Sequence, residues 1–280
     1  MHWERKADAM GEKALKTEKN LGAYFARLFN KTYNILTVKW IEKSFSFGVD
    51  EVLHYLLFRR KSSDVLIVGF QAFNKKGAFY NYIGTLRKLK VNKLFIKDDF
   101  ASDGLGDYYL GHNKRFDVER AVFELINETI EQCRPKTLIF IGSSKGGYAA
   151  LNFGIEYPGA NIIVAAPQYY LGTYLAGKKS KAPLTDILGN CYTEEDIRML
   201  DNRLKEKILK KREGKPQRIF LHYSPEAEAH DGHAKGLVKD IKQTELFLAE
   251  DIQDYPEHWQ LKFYFPQYLA DTVKDIMAGK

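Results

Sequence analysis

Three residue types that together make an alcohol nucleophilic occur in one order along the second half of this chain: serine, carboxylate, histidine. The serine lies in Gly142-Ser143-Ser144-Lys145-Gly146, directly after apolar Ile139-Phe140-Ile141 and before an alanine-rich run. A G-x-S-x-G string between a strand and a helix is a nucleophile elbow, a tight turn that lifts one hydroxyl above the end of a sheet. Ser144 is that hydroxyl. It needs a base within hydrogen-bond reach, and the base needs a third group to orient it. In elbow enzymes the chain order is serine, acid, histidine, so only a histidine beyond the last predicted strand qualifies. His258 does, whereas His2, His54, His112 and His222 fall early or inside predicted strands and loops and read as structural. The acid belongs after the preceding strand, RIFLHYS, where Glu226 comes first and Glu228 and Asp231 are alternatives. Two backbone N–H groups complete an oxyanion hole: that of Lys145, and that of Phe70 or Gln71 after the run VLIVGF.

The elements that must position these groups follow from hydrophobic period. VLIVGF, KLFIK, TLIFIG, NIIVAAP, RIFLHYS and ELFLAEDI are β-favouring runs, several of them apolar throughout as in strands buried on both faces. Between them GTLRKLK, DVERAVFELINETIEQC, the elbow helix and HAKGLVKDIKQ have helical character, and LKFYFPQYLADTVKDI closes the chain with Pro266 as a kink or a start. Strands alternating with helices predict an α/β fold: a mostly parallel central sheet with helices on both faces and the site at the carboxyl ends of the strands. YNILTVKW and VLHYLLF, around a Gly-Val-Asp turn, predict an edge strand pair, and residues 10–30 an amphipathic helix. Residues 1–60 therefore form an amino-terminal extension with edge strands, and 61–280 the catalytic domain. A helical insertion around 170–213, with Thr193 as a cap and Glu195 or Asp196 in the first turn, suits a lid over the strand ends.

Composition narrows the partners. The formal charge is +7 with a pI near 9.1, which favours anionic partners such as nucleotides, phosphorylated sugars or acidic lipids. Lys145, Lys178, Lys179 and Lys181 are candidates to attract phosphates. Two cysteines are too few for a disulfide scaffold, the amino terminus is too charged for a signal peptide, and no apolar run reaches about 20 residues. A cytoplasmic protein, peripheral at the inner membrane at most, is the expectation. HDGH at 230–233 lacks the third ligand of a metal site, SDGLGD at 102–107 lacks the context of a dinucleotide loop, and LKEKILKKREGKPQR reads as a solvated helix face. Tyr108 and Tyr109 are either packing or a platform for a sugar ring.

GSSKGGYAALNFG, NIIVAAPQYYLGTYL, LTDILG and the terminal EHWQLKFYFPQYL together resemble bacterial capsule-biosynthesis proteins of the XcbB/CpsF type and the related serine-dependent capsular polysaccharide O-acetyltransferases. The likeness spans about residues 65 to 270, and GSSKGG and APQ are its specific segments. It implies an α/β-hydrolase fold, Ser144 as acyl carrier, His258 as the histidine before the final helix, and Gln168 of APQ as a substrate contact beside Tyr108 and Tyr109. The acid of that family is usually an aspartate, where this chain has Glu226. The activity implied is transfer of acetyl from acetyl-CoA, a co-substrate rather than a bound cofactor, to a hydroxyl of a polysaccharide or sugar-phosphate acceptor. Capsule glycosyltransferases are further partners on this reading, and nucleic acid is not one. A carbohydrate esterase or deacetylase with the same triad, and a non-catalytic capsule-assembly protein, are the alternatives.

Overall fold

A computed structural model describes residue 38 and residues 40–211, 213–228 and 232–279. The chain divides into two compact units, Met1–Glu42 and Lys43–Lys280. In the first, Val38, Trp40 and Ile41 are helical, and the Glu42 N–H bonds the Val38 carbonyl at 2.9 Å. Helix thus occupies the described part of YNILTVKW, which its β-branched residues suggest as strand; propensity is a weak prior that context overrides. The helix expected over 10–30 lies outside the described residues.

The second unit is built on an eight-stranded sheet. Strands β1 (Lys43–Phe47) and β2 (Glu51–Phe58) form a hairpin around Gly48, whose φ of 60° suits a residue without Cβ. The remaining strands are β3 (Val65–Phe70), β4 (Asn92–Ile96), β5 (Thr137–Ser143), β6 (Asn161–Ala165), β7 (Arg218–Tyr223) and β8 (Phe247–Ile252). Their order across the sheet is β1-β2-β4-β3-β5-β6-β7-β8. The hairpin runs antiparallel to β4 at one edge, and β4, β3, β5, β6, β7 and β8 are mutually parallel. β3, β4 and β6 are buried along their whole length, the burial their apolar runs require. GTLRKLK forms successive turns rather than a regular helix, because its two leucines are too few for a buried stripe among three cations.

Helices α1 (Asp117–Cys133), α2 (Lys145–Gly154), α6 (His233–Ile241) and α7 (Leu261–Met277) follow β4, β5, β7 and β8. Pro266 lies inside α7; the carbonyl deprived of its donor is that of Lys262, an exposed residue where water can replace it. Between β6 and β7 come α3 (Leu171–Gly177), α4 (Ala182–Leu188) and α5 (Glu194–Leu209). Thr193 and Asp196 close a reciprocal capping box on α5. Ile197, Leu200, Leu204 and Ile208 form its buried stripe. Lys207 and Arg203 reach the nearly buried Glu119 of α1, Lys207 at 3.0 Å. Burial alone would raise the Glu119 carboxyl, but the two cations hold it below its usual range. This pairing ties α5 to the core.

Candidate active site

The elbow forms because two glycines let the backbone pass where side chains would collide. A Cβ on Gly142 would overlap the Gly146 carbonyl, and one on Gly146 would stand 2.7 Å and 2.8 Å from the carbonyl oxygens of Phe70 and Gln71. Ser144 sits between them at φ 52°, ψ −119°, a sparsely populated conformation of the kind maintained only where surroundings enforce it. The surroundings are specific. Ser144 N–H donates to the Ala165 carbonyl at 2.8 Å, and the Ser143 hydroxyl meets that of Tyr82. Within residues 141–150 Ser144 alone is not buried, so the turn offers one hydroxyl and hides its neighbours.

Gln168, itself 2% exposed, donates from Nε2 to Ser144 Oγ at 2.9 Å. This is the only hydrogen bond to Ser144 Oγ among the described residues, and none joins it to His258. His258 opens the short 3-10 turn before α7, partly exposed, with Nδ1 3.3 Å from Glu228 Oε1. Glu228 is nearly buried, whereas Glu226, the first acid in the sequence reading, is exposed. Asp231 lies outside the described residues. The choice of Glu228 follows from the turn after β7: its N–H bonds the Ser224 carbonyl at 3.1 Å, one helical turn back. Residues two apart on such a turn differ by about 200°, so a turn that sends residue 228 inward sends 226 out. Ser224 Oγ further donates to the Tyr255 carbonyl at 2.7 Å and accepts the Tyr255 N–H, which joins the Glu228 loop to the His258 loop. Sequence reasoning missed Ser224, because a serine at a strand end has no distinguishing signal.

The oxyanion donors are differently placed. Lys145 is the first residue of α2, where the leading N–H groups have no partner within the helix. Gln71 N–H instead donates to the Tyr109 hydroxyl at 2.8 Å, and its side-chain amide to the Asp98 carbonyl. Phe70 ends β3 with its ring buried against Phe153 and Tyr109. Tyr108 and Tyr109 are 4% and 0% exposed, which makes them core and not a sugar platform.

The Lys145 side chain is likewise not a surface cation. It is fully buried, with Nζ 3.0 Å from Asp98 Oδ2 and 2.8 Å from the Leu105 carbonyl. Asp107, also 0% exposed, lies beside Asp98; burial and that neighbouring carboxylate push its pKa well above the usual carboxylate range. SDGLGD is therefore a loop that carries a buried carboxyl beneath the elbow. Gly106 gives the loop its passage at φ +97°, and a Cβ there would overlap Lys145 Nζ and crowd Asp98. Gly106→Ala is expected to cost roughly 2–5 kcal/mol from overpacking and strain. Chemical denaturation reads this directly, and a variant as stable as wild type would refute the close packing.

His222 is buried in the sheet with Nδ1 2.6 Å from Asp251 Oδ2, a structural pair as its position in a strand suggests. The His233 ring accepts the Tyr170 N–H at Nδ1, 3.1 Å, while His230 is outside the described residues. Among the described residues no cluster of metal-ligating side chains occurs, and no helix is long and apolar enough to cross a membrane.

The sequence matches no protein-family model. It is 26% identical over 211 residues to a protein of the accessory Sec system of Streptococcus gordonii; this is 71% of the present chain but only 40% of that protein. The structure is similar to the capsule O-acetyltransferase of Neisseria meningitidis serogroup A at a TM-score of 0.68 and 21% identity, covering 82% of this chain and 93% of that one. A histidine-to-alanine variant of that enzyme was solved in complex with CoA and matches at a TM-score of 0.67, 20% identical, covering 83% and 94%. An acylaminoacyl peptidase of Pyrococcus horikoshii matches at 0.59 and 15% identity over 88% of this chain and 43% of its own. These likenesses and the strand order show the α/β-hydrolase fold.

Proposed function

We propose that the chain is a serine-dependent O-acetyltransferase that moves acetyl from acetyl-CoA to a hydroxyl of a surface polysaccharide or its sugar-phosphate precursor. The observation that carries this is the elbow serine at the end of β5 with a buried carboxylate on the imidazole before α7. With Nδ1–H directed at Glu228, the Nε2 lone pair of His258 is the base. Resting hydrogen bonds at such sites are often long and tighten on substrate binding, and the bond from Gln168 to Ser144 Oγ leaves the hydroxyl proton available to His258. Ser144 Oγ then attacks the thioester carbonyl while His258 takes its proton, the oxyanion is stabilised by the Lys145 N–H, and the thiol of CoA leaves with that proton. A sugar hydroxyl next loses its proton to His258, attacks the acetyl-serine, and Ser144 recovers the proton.

The capsule O-acetyltransferase likeness, with CoA bound in one form, supports donor and acceptor classes. Water as acceptor would make the same site an esterase, so exclusion of water at the acyl stage separates the two. The helices α3, α4 and α5 are our proposed cover, a fixed one, since Leu171, Leu175, Leu184 and Ile187 are buried in the same core as the α5 stripe. A second reading has a specific observation behind it: a glycosylation-associated complex of Streptococcus agalactiae matches at a TM-score of 0.67 and 14% identity, over 85% of this chain and 46% of that one. Together with the accessory Sec relative it favours a role in a glycosylation-associated assembly.

Protein mixed with acetyl-CoA should gain one acetyl group on the peptide bearing Ser144, and added glycan should remove it and become O-acetylated. Ester cleavage without transfer would give the site to the esterase reading. Full function in cells from a Ser144→Ala chain would give it to the assembly reading.

A further inference from the structure

Among the described residues Gln168 alone hydrogen-bonds the nucleophile, its Nε2 donating to Ser144 Oγ at 2.9 Å. The chain delivers this amide through a strained turn. Ala166, just after β6, has a φ of 41°, a left-handed conformation that a residue with a Cβ keeps only where its surroundings enforce it. Its N–H donates to the His222 carbonyl at 2.9 Å, and the Ala165 carbonyl before it accepts the Ser144 N–H at 2.8 Å. Pro167 fixes the next φ and lies against the elbow helix, where a Cβ on Gly147 would stand 3.2 Å from the proline Cβ. Turn and elbow are therefore one packed unit, and Gln168 is 2% exposed within it. Its Oε1 is buried with no hydrogen-bond partner among the described residues. An amide buried for stability would be paired at both ends. This one is paired only with the reacting oxygen.

We propose that Gln168 is a catalytic residue of the second half-reaction, donating to Ser144 Oγ as that oxygen leaves the acetyl group. The proposal rests on the acetyltransferase reading and adds the step at which this amide acts. In acylation Oγ begins with the Gln168 bond complete and gives electron density to the new C–O bond, so the hydrogen bond does not strengthen towards the transition state. In the acetyl-enzyme Oγ is an ester oxygen, a weak acceptor. When the acceptor oxygen attacks the acetyl carbon, His258 takes the acceptor's proton. The C–Oγ bond then breaks, its electron pair returns to Oγ, and His258 passes the proton to it. Negative charge gathers on Oγ before that proton arrives, and a hydrogen bond to a charged oxygen is about twice as strong as one to a neutral oxygen. Only an interaction that strengthens between ground state and transition state accelerates a step. Gln168 therefore speeds acyl release and leaves acyl capture nearly unchanged, whichever acceptor attacks.

Gln168→Met removes the donor at nearly the same side-chain length and leaves no unpaired oxygen, so its thermal midpoint should equal or exceed that of wild type. Rapid-quench mass spectrometry with acetyl-CoA follows both steps on the peptide bearing Ser144. Acetylation should proceed within about twofold of the wild-type rate, while loss of the acetyl group should slow about tenfold or more. The slowing should be the same to water and to hydroxylamine, a small acceptor that needs no sugar site, and acetyl-enzyme should accumulate in the steady state. Gln168→Leu, of different shape and likewise without a donor, should show the same selective slowing. Release to water and hydroxylamine at wild-type rates would leave Gln168 a substrate contact and overturn the proposal, and so would equal slowing of both steps. No acetyl on Ser144 in wild type or variant would remove the acetyltransferase reading and this inference together.

Discussion

Ser144→Ala is expected to lower acetyl transfer by on the order of 10⁵–10⁶-fold, with no acetyl found on the protein after exposure to acetyl-CoA. The reason is that no second nucleophile shares its position: Ser143 is 4% exposed and occupied by Tyr82, and Lys145 is turned into the core by Asp98. Loss of one hydroxyl at a part-exposed position leaves packing almost untouched, so the thermal midpoint should stay within a few degrees of wild type. Only the hydrogen bond from Gln168 to the hydroxyl disappears. Intact-mass spectrometry beside a transfer assay makes the measurement. Residual turnover above about a hundredth of wild type would place the nucleophile elsewhere.

The second large effect separates two glutamates two positions apart. Glu228→Gln should lower kcat by on the order of 10³–10⁴-fold, because an amide cannot stabilise the imidazolium formed when His258 takes a proton and can present the wrong partner to Nδ1. Shape and volume are nearly conserved, so the loss should appear in kcat more than in stability. Glu226→Gln, at an exposed site, should stay within about twofold of wild type. The reverse pattern, or parity between the two variants, would mean that the loop after β7 takes another path during turnover.

These two expectations differ in how much of each can be read from the chain before folding. Ser144 is legible because an elbow is made by contacts within a few residues: Gly142 and Gly146 are needed where backbones approach, and the apolar run before them and the alanine-rich run after them specify strand and helix. The expectation for His258 comes from order along the chain. The parallel sheet is legible for a similar reason, since unbroken apolar strands alternating with amphipathic helices have few other ways to bury both faces. GTLRKLK suggests a helix and forms turns, and the described residues of YNILTVKW, Val38 and Trp40, are helical where the segment suggests a strand.

What the sequence by itself determined, then, is the set of features encoded over short spans: the elbow serine, the alternation that builds the sheet, the capping box at Thr193 and the histidine position before the last helix. Only the tertiary structure decided which carboxylate meets His258, because one turn after Ser224, held to Tyr255 from another loop, rotates Glu228 in and Glu226 out. It also decided that Lys145 faces Asp98, that Tyr108 and Tyr109 are core, and that Gln168 holds the resting Ser144 hydroxyl. Each of these depends on residues 11 or more positions apart, where direction is set by packing and buried charge rather than by the local chain.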